Sequence, residues 1–282
     1  MYKYLGNSDI LLYDLLNTLS GVAVYIFCFF QYKRQKAIQS FGTRSIQNAV
    51  AKKFPNSKVK ILSGCVFWII LELIIFSFVE CQLTAGFNRT FGDLVRTGAN
   101  YFGQLYHIPF LLAAFCLLFW CDPLKQIDLL APSFPLALFI AKIACFCHGC
   151  CGGIEWEKGL FNTESGLVEF PIQLVEAGLA LLLFVLMLFI RDKAKPGTLF
   201  PIYLILYSGT RFFSEFLSKK PDVFWILKTY HILCLIGVVL GIIELVVALK
   251  FGDKISELFS ESHYFIPNKK EKNKNKKKTA KT

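Results

Sequence analysis

The chain has 282 residues, of which 55% are hydrophobic and 16% aromatic, and it carries a formal net charge of +11. This apolar share excludes an ordinary water-soluble domain. The apolar runs are long and unbroken rather than alternating, which favours membrane-spanning helices over the strands of a barrel. The sequence therefore predicts an all-α integral membrane protein.

Seven apolar segments follow one another along the chain, and we interpret each as a transmembrane helix of one bundle. A helix needs about 20 residues to cross the hydrocarbon core of a bilayer, and the third segment is the shortest. Pro123 ends the helical pattern after the third segment, and Pro171 suits the first turn of the fifth. In chain order the segments are residues 11–30, 61–79, 107–120, 133–147, 171–190, 198–217 and 231–249.

The charges on the connections between these spans predict the orientation of the bundle. The first connection, residues 31–60, is basic and contains no acidic residue, and the fifth is a short basic turn. The second, fourth and sixth connections are acidic or mixed. Because basic connections stay in the cytoplasm, we predict an outer N-terminus, a cytoplasmic C-terminus, and an outer location for the end of the fourth span.

The C-terminal end of the chain differs in composition from the rest. Residues 268–282 hold eight lysines and one glutamate, which is typical of a solvated cytoplasmic tail, and we expect no nucleic-acid partner. We predict a transmembrane domain over residues 1–251 and a basic tail over 252–282, disordered from about residue 267. The N-terminus lacks the basic region of a signal peptide, so we expect no cleavable one.

Polar side chains interrupt the outer halves of the fourth, fifth and sixth spans. Charges inside a membrane are costly, so they usually face a bundle interior or a wet cavity and mark functional sites. Pairs spaced three or four residues apart share a helix face. These pairs are Lys142 with Cys145, Gln173 with Glu176, and Arg211 with Glu215. We predict one polar site shared by three helices; the alternative is that the Arg211–Glu215 pair only neutralises two buried charges.

The fourth span ends in the densest group of reactive side chains in the sequence, within residues 142–153. Five of these side chains offer sulfur or imidazole: Cys145, Cys147, His148, Cys150 and Cys151. Three interpretations stay open: a soft-metal site, redox chemistry with a Cys147–Cys151 disulfide, or close packing of small apolar side chains. We prefer packing for most of the thiols, and we expect neither a metal nor a cofactor.

Four stretches, read together, resemble the prolipoprotein diacylglyceryl transferase family. The first is Asp128-Leu129-Leu130-Ala131-Pro132, and the second is the run 141–153, which is similar to the family's signature helix with its Gly-Cys-Cys-x-Gly ending. The third, Phe170-Pro171-Ile172-Gln173-Leu174-Val175-Glu176, resembles Pro-x-Gln-Leu-x-Glu. The fourth, Tyr207 with Gly209-Thr210-Arg211-Phe212-Phe213-Ser214-Glu215-Phe216, resembles Arg-Phe-x-x-Glu-Phe. The resemblance covers about residues 121–249.

The resemblance implies an enzyme in the cytoplasmic membrane of a bacterium. It would transfer a diacylglyceryl group from phosphatidylglycerol to the thiol of the lipobox cysteine of a prolipoprotein and release glycerol phosphate. The implied partners are phosphatidylglycerol, membrane lipid and the prolipoprotein signal peptide. Arg211 is expected to hold the leaving phosphate, Glu215 to orient Arg211, and His148 or His107 to act as general base. The residues expected to bind substrate are Lys142, Cys145, Gly153, Gln173 and Glu176.

Three positions depart from the family pattern. Lys142 stands where the family has a phosphate-binding arginine, and it keeps the charge without the forked guanidinium. Cys145 replaces the asparagine of the signature, and Tyr106-His107-Ile108-Pro109 takes the place of a His-Gly-Gly segment without its glycines. These departures indicate a divergent member. The alternative function is a non-enzymatic, redox or metal-binding membrane protein that uses the cysteines of residues 145–151.

Overall fold

The computed structural model of the chain is mostly helical. It describes residues 9–35, 101–102, 105–106, 108–110, 112–113, 122–162, 165–219, 222–224 and 227–260. The helices are α1 (Asp9–Gln35), α2 (Pro123–Leu130), α3 (Ser133–His148), α4 (Ile172–Ile190), α5 (Leu199–Glu215) and α6 (Thr229–Ser260). The strands are β1 (Glu155–Asn162), β2 (Leu167–Glu169), β3 (Asp222–Phe224) and β4 (Leu227–Lys228). The residues described between 101 and 113 are also helical.

Among the described residues, three helical stretches are long and apolar enough to cross a membrane: Pro123–His148, Ile172–Ile190 and Thr229–Glu257. They correspond to the predicted fourth, fifth and seventh spans, and α1 and α5 correspond to the first and sixth. The predicted second span, residues 61–79, lies outside the described residues, and the third, residues 107–120, is described only in part. α6 continues to Ser260, past the predicted end of the last span.

The helices pack side by side, with α3 between α1 and α4, and α5 between α4 and α6. The Ser20 hydroxyl of α1 donates to the carbonyl oxygen of Ala137 in α3 at 3.1 Å. α1 runs antiparallel to α3, because Tyr13 near its start packs at a tilt against His148 at the end of α3, with ring centroids 4.9 Å apart. The N-terminal end of α1 therefore lies at the same end of the bundle as the cysteine-rich segment.

α5 packs closely on α6 and on the helical residues described between 101 and 113. The hydroxyls of Tyr101 and Tyr203 are hydrogen-bonded at 2.5 Å, and Tyr203 is fully buried. A Cβ atom at Gly241 would lie 2.7 Å from Cγ1 of Ile205 and 3.2 Å from the carbonyl oxygen of Pro201. Glycine at this position lets the two helix backbones approach each other, as small residues do in membrane bundles.

The Asp122-Pro123 pair, which the sequence analysis used as a helix break, begins α2. One carboxylate oxygen of Asp122 accepts hydrogen bonds from the backbone N–H groups of Leu124 at 3.0 Å and Lys125 at 3.3 Å. Proline fits the first helical position because its missing N–H would have no partner within the helix there. The break is therefore a helix start, and α2 leads through Ala131-Pro132 directly into α3.

Two small antiparallel sheets, which the sequence analysis did not predict, lie in the connections after α3 and α5. β1 pairs with β2, with Phe161 opposite Val168, and β3 pairs with β4. Asn162 is the one fully buried residue of β1. This segment therefore lacks the alternation of apolar and polar residues by which a half-buried strand is recognised in a sequence. The fold is mostly helical rather than purely helical.

Asp128 joins α2 to the start of α5. Its carboxylate accepts hydrogen bonds from the backbone N–H groups of Gly197 at 2.6 Å, Leu199 at 2.9 Å and Phe200 at 3.2 Å. The first N–H groups of a helix have no partner within that helix, and an unpaired polar group in an apolar bundle is costly. Asp128 satisfies them from a different helix, so it fixes α5, which carries Arg211, relative to α2 and α3.

We expect Asp128→Ala to lower the free energy of unfolding by about 3 kcal/mol, since it leaves three buried N–H groups without their acceptor. Thermal unfolding of the full chain in detergent measures this as a lower midpoint. Asp192→Ala is the control, because the Asp192 side chain is 53% exposed, and it should change stability by less than about 0.5 kcal/mol. Equal midpoints for wild type and Asp128→Ala would contradict the role of Asp128.

Candidate functional site

Four charged side chains from α3, α4 and α5 form one buried network. The Lys142 ammonium lies 2.5 Å from one carboxylate oxygen of Glu176. The Arg211 guanidinium contacts the other oxygen of Glu176 and a carboxylate oxygen of Glu215. The side chains of Lys142, Glu176, Arg211 and Glu215 are 17%, 7%, 9% and 0% exposed. The charged residues that the sequence analysis placed at similar depth on three helices are therefore in contact.

Arg211 is the centre of this network, because it binds a carboxylate on α4 as well as one on its own helix. Its Nη1 atom lies 3.3 Å from the Ser214 hydroxyl, and its guanidinium carbon lies 5.4 Å from the centre of the Tyr230 ring. A planar guanidinium suits two carboxylates and an aromatic ring at once. Arg211 therefore does more than neutralise Glu215, and two positive charges balance two negative ones.

A small, partly open pocket lies beside the network, with room for about one water molecule. It is lined by Leu138, Lys142, Glu176, Leu179, Ala180, Leu183, Tyr207, Thr210, Arg211 and Ser214. Six of these ten side chains are charged or bear a hydroxyl, and the four leucine and alanine side chains are apolar. Cations in a low-dielectric site bind phosphate and carboxylate groups well. The lining therefore combines two cations with apolar walls, a chemistry that suits contact with the anionic group of an amphiphile.

The loop that follows α3 is held by hydrogen bonds from α4 and β1. Gln173 is fully buried and donates from Nε2 to the carbonyl oxygen of Cys150 at 2.7 Å. Asn162 donates to the carbonyl oxygen of Gly149 at 2.9 Å. Gly149 ends α3 in the left-handed conformation, with φ 81°. Gln173 thus positions the loop, one helical turn from the network residue Glu176.

Glu169 fixes the same loop from the other side. It is 1% exposed and accepts a hydrogen bond from Asn162 at 3.0 Å, and its other oxygen lies 3.0 Å from the Lys219 ammonium. Burial raises the pKa of Glu169, but hydrogen bonds from Ser165, Asn162 and Lys219 outweigh burial, so the pKa lies below its ordinary value. Glu169 is therefore ionised at neutral pH. The role of Glu169 could not be predicted from the sequence, because its partners come from separate segments of the chain.

Gly153 lies where the chain passes between two other backbone segments. It bridges to Ser218, and the N–H of the next residue, Ile154, donates to the carbonyl oxygen of Leu217 at 2.9 Å. A Cβ atom at Gly153 would lie 2.4 Å from the carbonyl oxygen of Phe170 and 2.9 Å from that of Leu217. Only glycine fits this approach. Gly153 shapes the loop and is not among the residues that line the pocket.

Cys145, Cys150 and Cys151 lie together at the end of α3. Their three sulfur atoms are within 4.8 Å of one another, and the Cys150 sulfur lies 3.7 Å from the carbonyl oxygen of Cys145. No disulfide joins the cysteines in the part of the chain that the structure describes. The Cys147–Cys151 disulfide considered from the sequence is therefore not formed, and Cys151 lies with Cys145 and Cys150 instead.

The two histidines considered as general bases are not both described. His107 lies outside the described residues. His148 is half-buried at the C-terminal end of α3, packs on Tyr13, and is not among the residues that line the pocket. Ser214 and Tyr230 also contact Arg211, although neither was predicted from the sequence as its neighbour. For Ser214 the signal was available, since it follows Arg211 by three residues, whereas Tyr230 reaches Arg211 from another helix.

The fold and the site define a class: a helical membrane protein with a buried, charge-balanced network beside a pocket. The family described as prolipoprotein diacylglyceryl transferase matches residues 74–247, which is more than half of the chain. The chain therefore belongs to the prolipoprotein diacylglyceryl transferase family, as the motif resemblance predicted. The matched range includes all four residues of the charged network.

Several curated relatives bear the name phosphatidylglycerol–prolipoprotein diacylglyceryl transferase. The one from Clostridium tetani is 32% identical over 130 residues, which cover 43% of this chain and 52% of the relative. The one from Ehrlichia canis is 28% identical over 215 residues, or 73% of this chain and 78% of the relative. The one from Chlorobaculum tepidum is 32% identical over 156 residues, or 51% and 54%. This chain thus spans about half the length of the first and third of these relatives.

We expect Gly153→Ala to lower the free energy that stabilises the folded loop after α3 by about 2 kcal/mol. Forcing a methyl group against backbone atoms typically costs about 1–3 kcal/mol. Amide hydrogen exchange of residues 149–154 in the full chain measures this as faster exchange. Gly178→Ala is the matched control, because a Cβ there meets nothing within 4 Å. Unchanged exchange in Gly153→Ala, or equal acceleration in both variants, would contradict the close approach at Gly153.

Proposed function

We propose that the chain is a lipid-dependent transferase. It moves a diacylglyceryl group from phosphatidylglycerol to the lipobox cysteine of a prolipoprotein, as the names of its relatives state for those proteins. The thiol sulfur forms a bond to the glyceryl carbon, the bond from that carbon to the phosphate oxygen breaks, and glycerol phosphate leaves. The observation that carries this proposal is the buried Lys142–Glu176–Arg211–Glu215 network beside a pocket with apolar walls.

The position of Glu176 supports a phosphate site in this network. Its carboxylate lies between Lys142 and Arg211, and each cation contacts one of its oxygens. Two cations arranged around one anion in this way also suit a phosphate, with Arg211 supplying the forked contact. In the proposed reaction the phosphate displaces Glu176 from the two cations. The cations then stabilise the negative charge that grows on the phosphate as the carbon–oxygen bond breaks.

Most of the remaining site residues hold Arg211 or the loop after α3 in place. Glu215 is fully buried and holds Arg211 from one turn along α5, which keeps the guanidinium in place when Glu176 is displaced. Gln173 and Gly153 set the loop at the mouth of the site, and Cys145 lies one turn beyond Lys142 on α3. His148 and His107 are the candidates to accept the proton of the incoming thiol, which must be lost as the sulfur attacks.

The same proposal includes the arrangement of the chain in a bacterial cytoplasmic membrane. Seven spans form the transmembrane domain of residues 1–251, with an outer N-terminus, and residues 252–282 form a cytoplasmic tail. The antiparallel packing of α1 on α3 supports this arrangement, because Tyr13 lies beside His148. The site then opens at the outer face of the membrane, where a prolipoprotein signal peptide presents its lipobox cysteine.

We expect Arg211→Lys to reduce conversion of a lipobox peptide by about 100-fold, since removing one positioned donor from a transition-state site typically costs 10²–10³ in rate. The assay uses membranes that contain the full chain and phosphatidylglycerol, and it follows the mass increase of the peptide. Lysine keeps the charge at this position, so the loss would report the guanidinium geometry rather than the charge.

Arg191→Lys is the matched control for this experiment. Arg191 follows the opposite end of α4, where its guanidinium hydrogen-bonds to Gln31 at 2.5 Å and pairs with Asp192. Conversion should stay at the wild-type rate. Absence of conversion by the wild-type protein with several lipobox peptides would overturn the transferase proposal, whereas full activity of Arg211→Lys would overturn only the role of Arg211.

A further inference from the structure

The cysteine group at the end of α3 has the dimensions of a metal site. The sulfurs of Cys145, Cys150 and Cys151 lie within 4.8 Å of one another. In a zinc site with zinc–sulfur bonds of about 2.3 Å and tetrahedral angles, sulfur atoms are roughly 3.8 Å apart. The three thiols therefore need to approach one another by no more than about 1 Å, which side-chain rotation can supply.

The backbone conformation places the adjacent residues Cys150 and Cys151 so that both sulfur atoms lie close to Cys145. The sequence alone did not predict this conformation. Cys151 has φ 58°, and it is the one residue other than glycine with a positive φ in the described part of the chain. This conformation is unfavourable for a residue with a Cβ atom, and such residues concentrate at functional sites. The hydrogen bonds from Gln173 to Cys150 and from Asn162 to Gly149 hold the loop in this shape.

We propose that Cys145, Cys150 and Cys151 together bind one zinc ion as thiolates. Thiolate ligands favour zinc and other soft or borderline ions over magnesium or calcium. Three protein ligands leave the fourth position of a tetrahedral zinc ion open, which is the pattern of catalytic rather than structural zinc sites. Cys151 is exposed and Cys145 and Cys150 are half-buried, so an ion and a fourth ligand have access from outside the bundle.

The charge around the group also fits a bound zinc ion. Zinc with three thiolates carries one net negative charge, which an apolar bundle would not tolerate without a cation nearby. Lys142 precedes Cys145 by three residues on α3 and interacts electrostatically with all three sulfurs. Its positive charge, which also pairs with Glu176, is thus close enough to attract the negative zinc–thiolate group. The proposal does not depend on the transferase activity, since it concerns the affinity of the chain for zinc.

The test is zinc binding by the full chain, purified in detergent under reducing conditions and freed of metal with a chelator. We expect one zinc ion per chain for wild type, and at least tenfold weaker binding for Cys145→Ser, Cys150→Ser and Cys151→Ser. Cys147→Ser is the matched control, because Cys147 belongs to the same helix end but not to the group, and it should bind zinc like wild type. Cobalt in place of zinc should give thiolate-to-cobalt charge-transfer absorption, which the three variants lose.

A second measurement needs no variant. Alkylation of the wild-type thiols, read by mass spectrometry, should show that zinc protects Cys145, Cys150 and Cys151 and leaves Cys147 reactive. The proposal is overturned if wild type binds much less than one zinc ion per chain or if Cys147→Ser loses binding as the other variants do. It is also overturned if zinc leaves the alkylation pattern unchanged.

Discussion

The site depends on one carboxylate shared by two cations. Glu176 on α4 contacts Lys142 on α3 and Arg211 on α5, so a single side chain connects three helices at the same depth. Burying four charges is expensive, and the cost is offset only when every charge has a partner. Removing one member would leave an uncompensated charge in an apolar bundle, which typically costs about 3–5 kcal/mol. The network therefore holds three helices together, and it also forms the polar side of the pocket.

Contacts at both ends of the helices fix the position of this network. Asp128 secures the start of α5, and the loop after α3 is secured by Gln173, Asn162 and Glu169. These contacts restrict the positions of the helix ends, so that Arg211 meets Glu176 in a fixed geometry. In the proposed reaction a phosphate takes over the two cations from Glu176. The two cations are already arranged around one anion, so a phosphate that displaces Glu176 meets a preorganised pair of cations.

Much of the site could be predicted from the sequence, because a charged side chain inside an apolar span usually faces a charged partner or a polar cavity. The placement of Lys142, Glu176, Arg211 and Glu215 in the outer halves of three spans predicted one shared polar site, and the motifs predicted the family correctly. The small sheets could not be predicted, since β1 is almost entirely exposed and shows no alternation. Cys145, Cys150 and Cys151 were among five possible soft-metal ligands in the sequence, but their grouping could not be predicted, because it requires the left-handed backbone of Cys151.

The central claim, that Lys142 and Arg211 form an anion site for a phospholipid head group, is tested most directly by lipid retention. Native mass spectrometry of the full chain released from mixed micelles counts the lipids that stay bound. We expect wild type to retain one phosphatidylglycerol and to release zwitterionic phosphatidylethanolamine, and the double variant Lys142→Gln/Arg211→Gln to retain neither. Equal retention of phosphatidylglycerol by wild type and the double variant would contradict the account.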